Sequence, residues 1–239
     1  MPERVQKLLA RWGISSRREA ERLILEQRVK LNGKIVELGD KADPNQDDLE
    51  VDGQKITVCN RPQLIYLLLN KPLGVITTCA DPQGRTTVID LLPSEMRSRY
   101  GIHPVGRLDA NSTGALLLTN DGELTLKLTH PRYHLPKTYH VWLKGDPPVA
   151  ILKTWEEGVL LSGKKTLPAS IKVLQRCDQQ TLVEIILSEG RNRQIRRIAQ
   201  RLGFPVLALE RQAIGLITLD LDVGEYRFLT EAELKLIKD

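Results

Sequence analysis

Three stretches of the chain carry residue types that could do chemistry. The longest runs Gly106-Arg107-Leu108-Asp109-Ala110-Asn111-Ser112-Thr113-Gly114 and leads straight into the apolar run Ala115–Thr119. It puts a carboxylate in a loop of small polar residues at the mouth of a strand, and loops held on rigid strands are where catalytic groups concentrate. Such a carboxylate can serve as a nucleophile or as a base. The same residues also suit an ordinary turn in which Asp109 caps Asn111 or Ser112. The second stretch, Ser188-Glu189-Gly190-Arg191-Asn192-Arg193-Gln194-Ile195-Arg196-Arg197-Ile198-Ala199, ends a strand at Gly190 and predicts a helix from about Asn192. Ile195, Ile198 and Ala199 fall at core spacing, which leaves Arg193, Arg196 and Arg197 on flanking faces where they can meet a phosphate or a carboxylate, or simply face water. The third stretch, Leu69-Asn70-Lys71-Pro72-Leu73-Gly74-Val75, reads as a strand ending in a Lys-Pro turn that Gly74 lets reverse.

Other chemistries lack their residues. There is no phosphate-binding or dinucleotide-binding glycine loop. His130 and His134 stand four apart, but Pro131 breaks the helix that would align them as metal ligands. Cys59, Cys79 and Cys177 are odd in number and far apart, so neither a disulfide framework nor a zinc knuckle is expected, and a cytoplasmic setting is the default. The N-terminal residues lack a signal-peptide pattern, and no apolar run approaches a membrane span.

The elements that must position these groups are legible from periodicity. Val5, Leu8, Leu9 and Trp12 predict a first helix stopped by Gly13; Ser16 and Glu19 form a capping box for a second, through about Gln27. Asn32-Gly33 turns a hairpin between Val29–Leu31 and Lys34–Val36. A second hairpin pairs Leu49–Val51 with Ile56–Val58, after an acidic loop at Lys41–Asp48, and Asn60-Arg61-Pro62 reads as a linker. Beyond it, strand-like runs appear at Leu64–Leu69, Ala115–Thr119, Thr138–Leu143, Ala169–Leu174, Leu182–Leu187 and Val206–Leu209. Helical patterns fall at Gly122–Leu128, Val149–Glu156, Asn192–Leu202 and Glu231–Ile237. Strands and helices do not alternate regularly. The expected fold is α+β: a small α/β module over residues 1–61, then a domain over 62–239 built on a mixed, largely antiparallel sheet with flanking helices.

The net charge is only +5, but it is unevenly placed. Met1–Lys34 holds nine Lys and Arg against four Asp and Glu, Ile35–Arg61 three against seven, and Ile186–Gln212 six against two. Two basic zones so far apart suit an extended polyanion, although each could also be a solvated helix face.

Together the three stretches resemble the pseudouridine synthases, in the branch that modifies ribosomal RNA at single sites, over roughly Leu64–Asp239. Glu3–Arg61 resembles the S4-type RNA-binding domain that often precedes that branch. Ser112-Thr113 reverses the family's usual order and Ala115 replaces a common Leu. The resemblance implies Asp109 as the essential aspartate, Tyr139 as the aromatic that stacks on the target base, and Arg196 as the cation paired with the aspartate. It implies RNA contacts from Arg17, Arg18, Arg22, Arg28 and Lys30 in the first module and from Arg107, Arg191, Arg193 and Arg197 in the second. It implies no metal and no nucleotide or redox cofactor, because the conversion is an isomerisation. It further implies a monomer acting on ribosomal RNA, free or in a pre-ribosomal particle. The string His130-Pro131…Lys137-Thr138-Tyr139 is closer to the enzymes of the large subunit than to the small-subunit one. An RNA-binding assembly factor without catalysis is the alternative of a different class; such a protein has no need of a buried, cation-paired aspartate.

Overall fold

The computed structural model describes residues 2–56 and 63–238. It divides into two compact units: Met1–Ile65 with Leu92–His103 and Thr119–Gly122, and Tyr66–Leu91 with Pro104–Leu118 and Glu123–Asp239.

In the first unit, β1 (Glu3–Arg4) leads into α1 (Val5–Arg11). Val5, Leu8 and Leu9 recur at helical spacing and are fully buried, with Trp12 close behind at the end of the helix. Gly13 then takes a left-handed φ of 74° and stops the helix. In α2 (Arg17–Leu25) the Ser16 hydroxyl accepts from the Glu19 amide at 3.2 Å, as the capping box requires. Ala20, Leu23 and Ile24 bury one face, while Arg17, Arg18 and Arg22 stay exposed. The helix ends at Leu25 rather than Gln27, because Gln27 adopts φ 59°.

β2 (Val29–Leu31) and β3 (Lys34–Ile35) form the expected hairpin, with Asn32 and Gly33 both at positive φ. Lys41–Asp48 is not all loop: β4 (Lys41–Ala42) pairs with β1 and buries Ala42. The second hairpin joins β5 (Leu49–Val51) to β6 (Gln54–Ile56) through Asp52-Gly53. Its return strand therefore starts two residues earlier than expected; Thr57, Val58 and the linker at Asn60–Pro62 lie outside the described residues. α3 (Ser94–Arg99), which carries no hydrophobic period, also belongs to this unit.

The second unit is built on one large sheet. Its strands include β7 (Tyr66–Lys71), the short β8 (His103–Pro104) and β9 (Thr113–Thr119), which is followed by α4 (Gly122–Thr129). Next come β10 (Lys137–Lys144), α5 (Val149–Glu156) and a separate hairpin of β11 (Leu160–Leu161) with β12 (Lys164–Lys165). β13 (Ser170–Cys177), β14 (Gln180–Leu187) and α6 (Gln194–Arg201) lead to β15 (Val206–Ile214), β16 (Ile217–Thr218), β17 (Tyr226–Phe228) and α7 (Glu231–Lys238). The main path of the sheet runs β13-β14-β10-β15-β9-β7-β17. β13–β14, β14–β10, β10–β15 and β7–β17 are antiparallel, whereas β15–β9 is parallel, giving the mixed, mostly antiparallel sheet. β7 is buried at every residue, as a strand covered on both faces must be.

β14 alternates, with Thr181, Val183, Ile185 and Leu187 inward. Val183, Ile185 and Leu187 join Val141 and Leu143 of β10, Trp155 of α5, and Ile195, Ile198 and Ala199 of α6 in one core cluster. Tyr139 lies on the same face of β10 as Val141 and Leu143, two residues nearer the strand's start.

Candidate active site

Strand register decides which residues meet. Across the middle of the sheet Tyr139 of β10 pairs with Arg211 of β15, and Arg211 pairs with Gly114 of β9. Gly114 has φ 101°, and a Cβ there would lie 2.3 Å from the Arg211 carbonyl oxygen, so only glycine lets the two strands close. The loop just before β9, with Asp109, is thereby fixed beside Tyr139.

That loop is held at each of its carbonyls. Thr77 Oγ1 donates to Leu108 O at 2.7 Å, the Ser112 amide to Asp109 O at 3.0 Å, and the Gly74 amide to Ala110 O at 2.8 Å. Arg196 Nη2 donates to Asn111 O at 2.5 Å and Lys71 Nζ to Ser112 O at 2.8 Å. With the backbone spent in this way, the Asp109 side chain is free to face the cleft, and its geometry is preorganised.

Sequence reasoning missed Lys71 and Thr77. Lys71 ends an apolar strand yet is 0% exposed. Its second hydrogen bond goes to Pro72 O at 2.8 Å. Burial pushes its ammonium down to about 8; Asp109 works against that shift and Arg211 adds to it. A charged residue closing so apolar a run was the available signal, obscured because Lys-Pro also suits a plain turn.

The guanidinium within ion-pair distance of the Asp109 carboxylate is that of Arg193, while Arg196 feels the same charge without a bond to it. Arg193 Nη1 stands 3.6 Å from Asp109 Oδ2. α6 starts at Gln194 instead of Asn192, because Gln194 turns back to accept from the Arg191 amide at 3.0 Å and to donate to Glu189 Oε1 at 2.8 Å. Arg193 is left as the N-cap at φ 48°, a strained backbone for a side chain with a Cβ. Arg196 spans the far end of the loop instead, with Asn111 O and, at 3.3 Å, Ser112 Oγ. Burial and the charge of Arg193 lower its pKa, and Asp109 counters them. Nor is the carboxylate enclosed: 36% of the Asp109 side chain is exposed. It opens into a cleft of about 460 Å³ lined also by Arg107, Tyr139, Leu187, Arg193 and Leu209.

The expected RNA-contacting cations divide into two sets. Arg17, Arg18, Lys30, Arg107 and Arg193 are exposed, as is Arg197, which gives one donor to Ser162 Oγ at 2.7 Å. The others are engaged by the protein. Arg28 grips Asp52 with two bonds of 2.7 Å and reaches Glu26 at 2.9 Å. Arg22 pairs with Glu19 at 2.5 Å. Arg191 gives its donors to Glu189, Lys164 O and Lys165 O. Among the described residues no group of three or more His, Cys, Asp or Glu could hold a metal ion, and no helix is long and apolar enough to cross a membrane.

A half-exposed carboxylate on a fixed loop, flanked by a guanidinium and an aromatic ring in a cleft, can attack or deprotonate a sugar carbon whose base lies on the ring. The comparisons agree with that chemistry. The profile of the RNA pseudouridylate synthase family matches residues 65–201, and that of the S4 domain matches residues 3–48. The chain is 42% identical, over 99% of its length and 96% of the relative's, to ribosomal large subunit pseudouridine synthase B of Bacillus subtilis (strain 168). It is 36% identical, over 99% of its length and 62% of the relative's, to the protein of the same name from Pseudomonas aeruginosa. A crystal structure of a pseudouridylate synthase superposes with a TM-score of 0.71 at 32% identity, covering 98% of this chain and 99% of that one. The chain belongs to the RNA pseudouridylate synthase family, isomerases that act on RNA, and carries an S4 domain ahead of the catalytic region.

Proposed function

We propose that this protein converts a uridine of large-subunit ribosomal RNA to pseudouridine. The observation that carries the reading is the Asp109 loop: every carbonyl from Leu108 to Ser112 is tied down while the carboxylate faces the cleft, 3.6 Å from Arg193. Asp109 attacks the ribose or takes a proton from it, Arg193 balances its charge, and Tyr139 stacks on the extruded base. Arg196 and Lys71 are positioning residues that hold the loop. The glycosidic bond breaks at N1 and re-forms at C5 within one nucleotide, while C5 gives up its proton and N1 takes one, so composition and oxidation level are unchanged and no cofactor is required. Residues 1–61 serve as the RNA-binding domain and 62–239 as the catalytic one, in a cytoplasmic monomer working on free or pre-ribosomal RNA. The identities to two large-subunit synthases support that choice of subunit.

The test is to map pseudouridines on both ribosomal RNAs from cells with the protein, without it, and with Asp109→Asn. A uridine of the large-subunit RNA should lose its modification in the last two strains alike. Loss confined to the small-subunit RNA would move the substrate, and no change on either RNA would remove the reading.

A further inference from the structure

A second cleft of about 380 Å³ opens on the same unit and shares Arg107, Tyr139 and the Glu189–Arg191 turn with the Asp109 cleft. Val105, Leu128 and Ile214 supply apolar wall, and Lys137 and Arg211 supply charge. Arg211 is 5% exposed. Its Nε donates to Ala115 O at 2.6 Å, but its Nη2 is buried and unpartnered. Lys137 is half-buried, and no acceptor engages its ammonium among the described residues. The one carboxylate among the lining residues, Glu189, is spent on Arg191 at 3.0 Å and Gln194 at 2.8 Å. Two buried or half-buried cations without a counter-ion are costly, and burial together with the charge of Arg211 lowers the Lys137 pKa. Such a pocket is completed by an anion from outside.

Geometry suggests which anion. Lys137 and Tyr139 lie two residues apart on one face of β10, about 7 Å along the strand. A base against the Tyr139 ring therefore brings its own backbone within reach of Lys137. We propose that this cleft binds a phosphodiester of the RNA strand next to the target uridine, held by Lys137 and Arg211 with Arg107 at the rim. The proposal rests on the RNA-modifying reading above.

The test is binding of a large-subunit ribosomal RNA transcript at several salt concentrations, for the full chain and for Lys137→Gln. One lost phosphate contact should flatten the slope of log affinity against log salt by about 0.7–0.9 and weaken binding roughly fivefold to tenfold at 0.1 M. Lys137→Arg should restore both. An unchanged slope overturns the site. Should Lys137→Gln fail to fold, judged by its circular dichroism, Lys137→Met, which keeps the apolar stem and removes the charge, carries the same measurement, because Lys137 lines this cleft and not the Asp109 cleft. If inorganic phosphate raises the melting temperature of the full chain while the RNA slope stays unchanged in Lys137→Gln, the cleft takes a small free anion and the strand subsite is overturned. Binding is read without turnover: an RNA bound with the expected slope but never converted sinks the enzymatic reading and leaves this one standing.

Discussion

Arg193 and Arg196 are three residues apart, yet they engage different groups of the loop, Arg193 the Asp109 carboxylate and Arg196 the Asn111 carbonyl. The Arg193 pair is long and half-exposed, with 46% of the arginine side chain in solvent, so it contributes less than about 1 kcal/mol to folding. Arg196 secures the Asn111 carbonyl, a charge-assisted bond that contributes about 1–2 kcal/mol at this partly exposed position. Arg193→Met should therefore keep its melting temperature and lose turnover, while Arg196→Met should melt about 2–4 °C lower for each kcal/mol lost. Melts and single-turnover rates separate the two; equal drops in melting temperature would mean that Arg193 is structural. Lys71 adds a pH signature. Its ammonium sits at about 8 in the fold against an ordinary 10.5, so between those values the unfolded chain holds a proton that the folded chain has released. Stability contributed by this group rises with pH across that window, by at most about 1.4 kcal/mol per pH unit. Urea unfolding from pH 7.5 to 9.5 should show the wild type gaining on Lys71→Met as pH rises. Parallel curves would place the ammonium in water rather than in the core.

At the scale of elements, what was legible followed length and periodicity. The eight-residue strands β10, β13 and β14 and the helices α4, α5 and α7 lie where the hydrophobic pattern put them, within three residues at either end. Two-residue strands such as β1, β4, β8, β11, β12 and β16 carry no period of their own and exist only through their partners. The site was legible as a set of residues but not as a set of contacts. The left-handed backbone at Arg193 delays α6 by two residues, and that shift, set by Gln194 folding back on Glu189, decides which arginine faces the carboxylate. The glycine that brings Asp109 to the sheet's centre was visible only as part of a motif. Gly114→Ala should be among the most damaging single changes in the chain, since its methyl group meets Arg211 backbone at 2.3–2.9 Å and cannot be relieved by a side-chain rotation. A loss above about 3 kcal/mol in urea unfolding is expected for so severe an overlap. A loss below about 1 kcal/mol would show that β9 and β15 can separate without cost.

For the whole molecule, the distribution of charge says more than its sum. In the first unit the acidic residues reach the arginines: Asp52 grips Arg28, and Glu19 and Glu26 take Arg22. Of its five candidate phosphate contacts, Arg17, Arg18 and Lys30 are exposed and have no acidic partner among the described residues. A cation that already holds two carboxylate bonds must give them up before it can neutralise a phosphate, so Arg22 and Arg28 release fewer counterions on binding. Replacing Arg17, Arg18 and Lys30 together by Gln in the full chain should flatten the salt dependence of RNA affinity by roughly 2–3 in log–log slope, at about 0.7–0.9 for each phosphate. Replacing Arg22 and Arg28 by Gln should change that slope by less than about 1. Phosphate contacts position an RNA without reading its bases, so single-turnover rates at saturating RNA should fall far less than affinity in the triple variant. A deletion of the first 62 residues is the poorer experiment, because Leu92–His103 and Thr119–Gly122 belong to the same compact unit and would lose their packing. Filter binding at four or more salt concentrations compares the two charge variants directly. Equal slopes for both would mean that ion pairing inside the unit does not decide which of its cations meet the RNA.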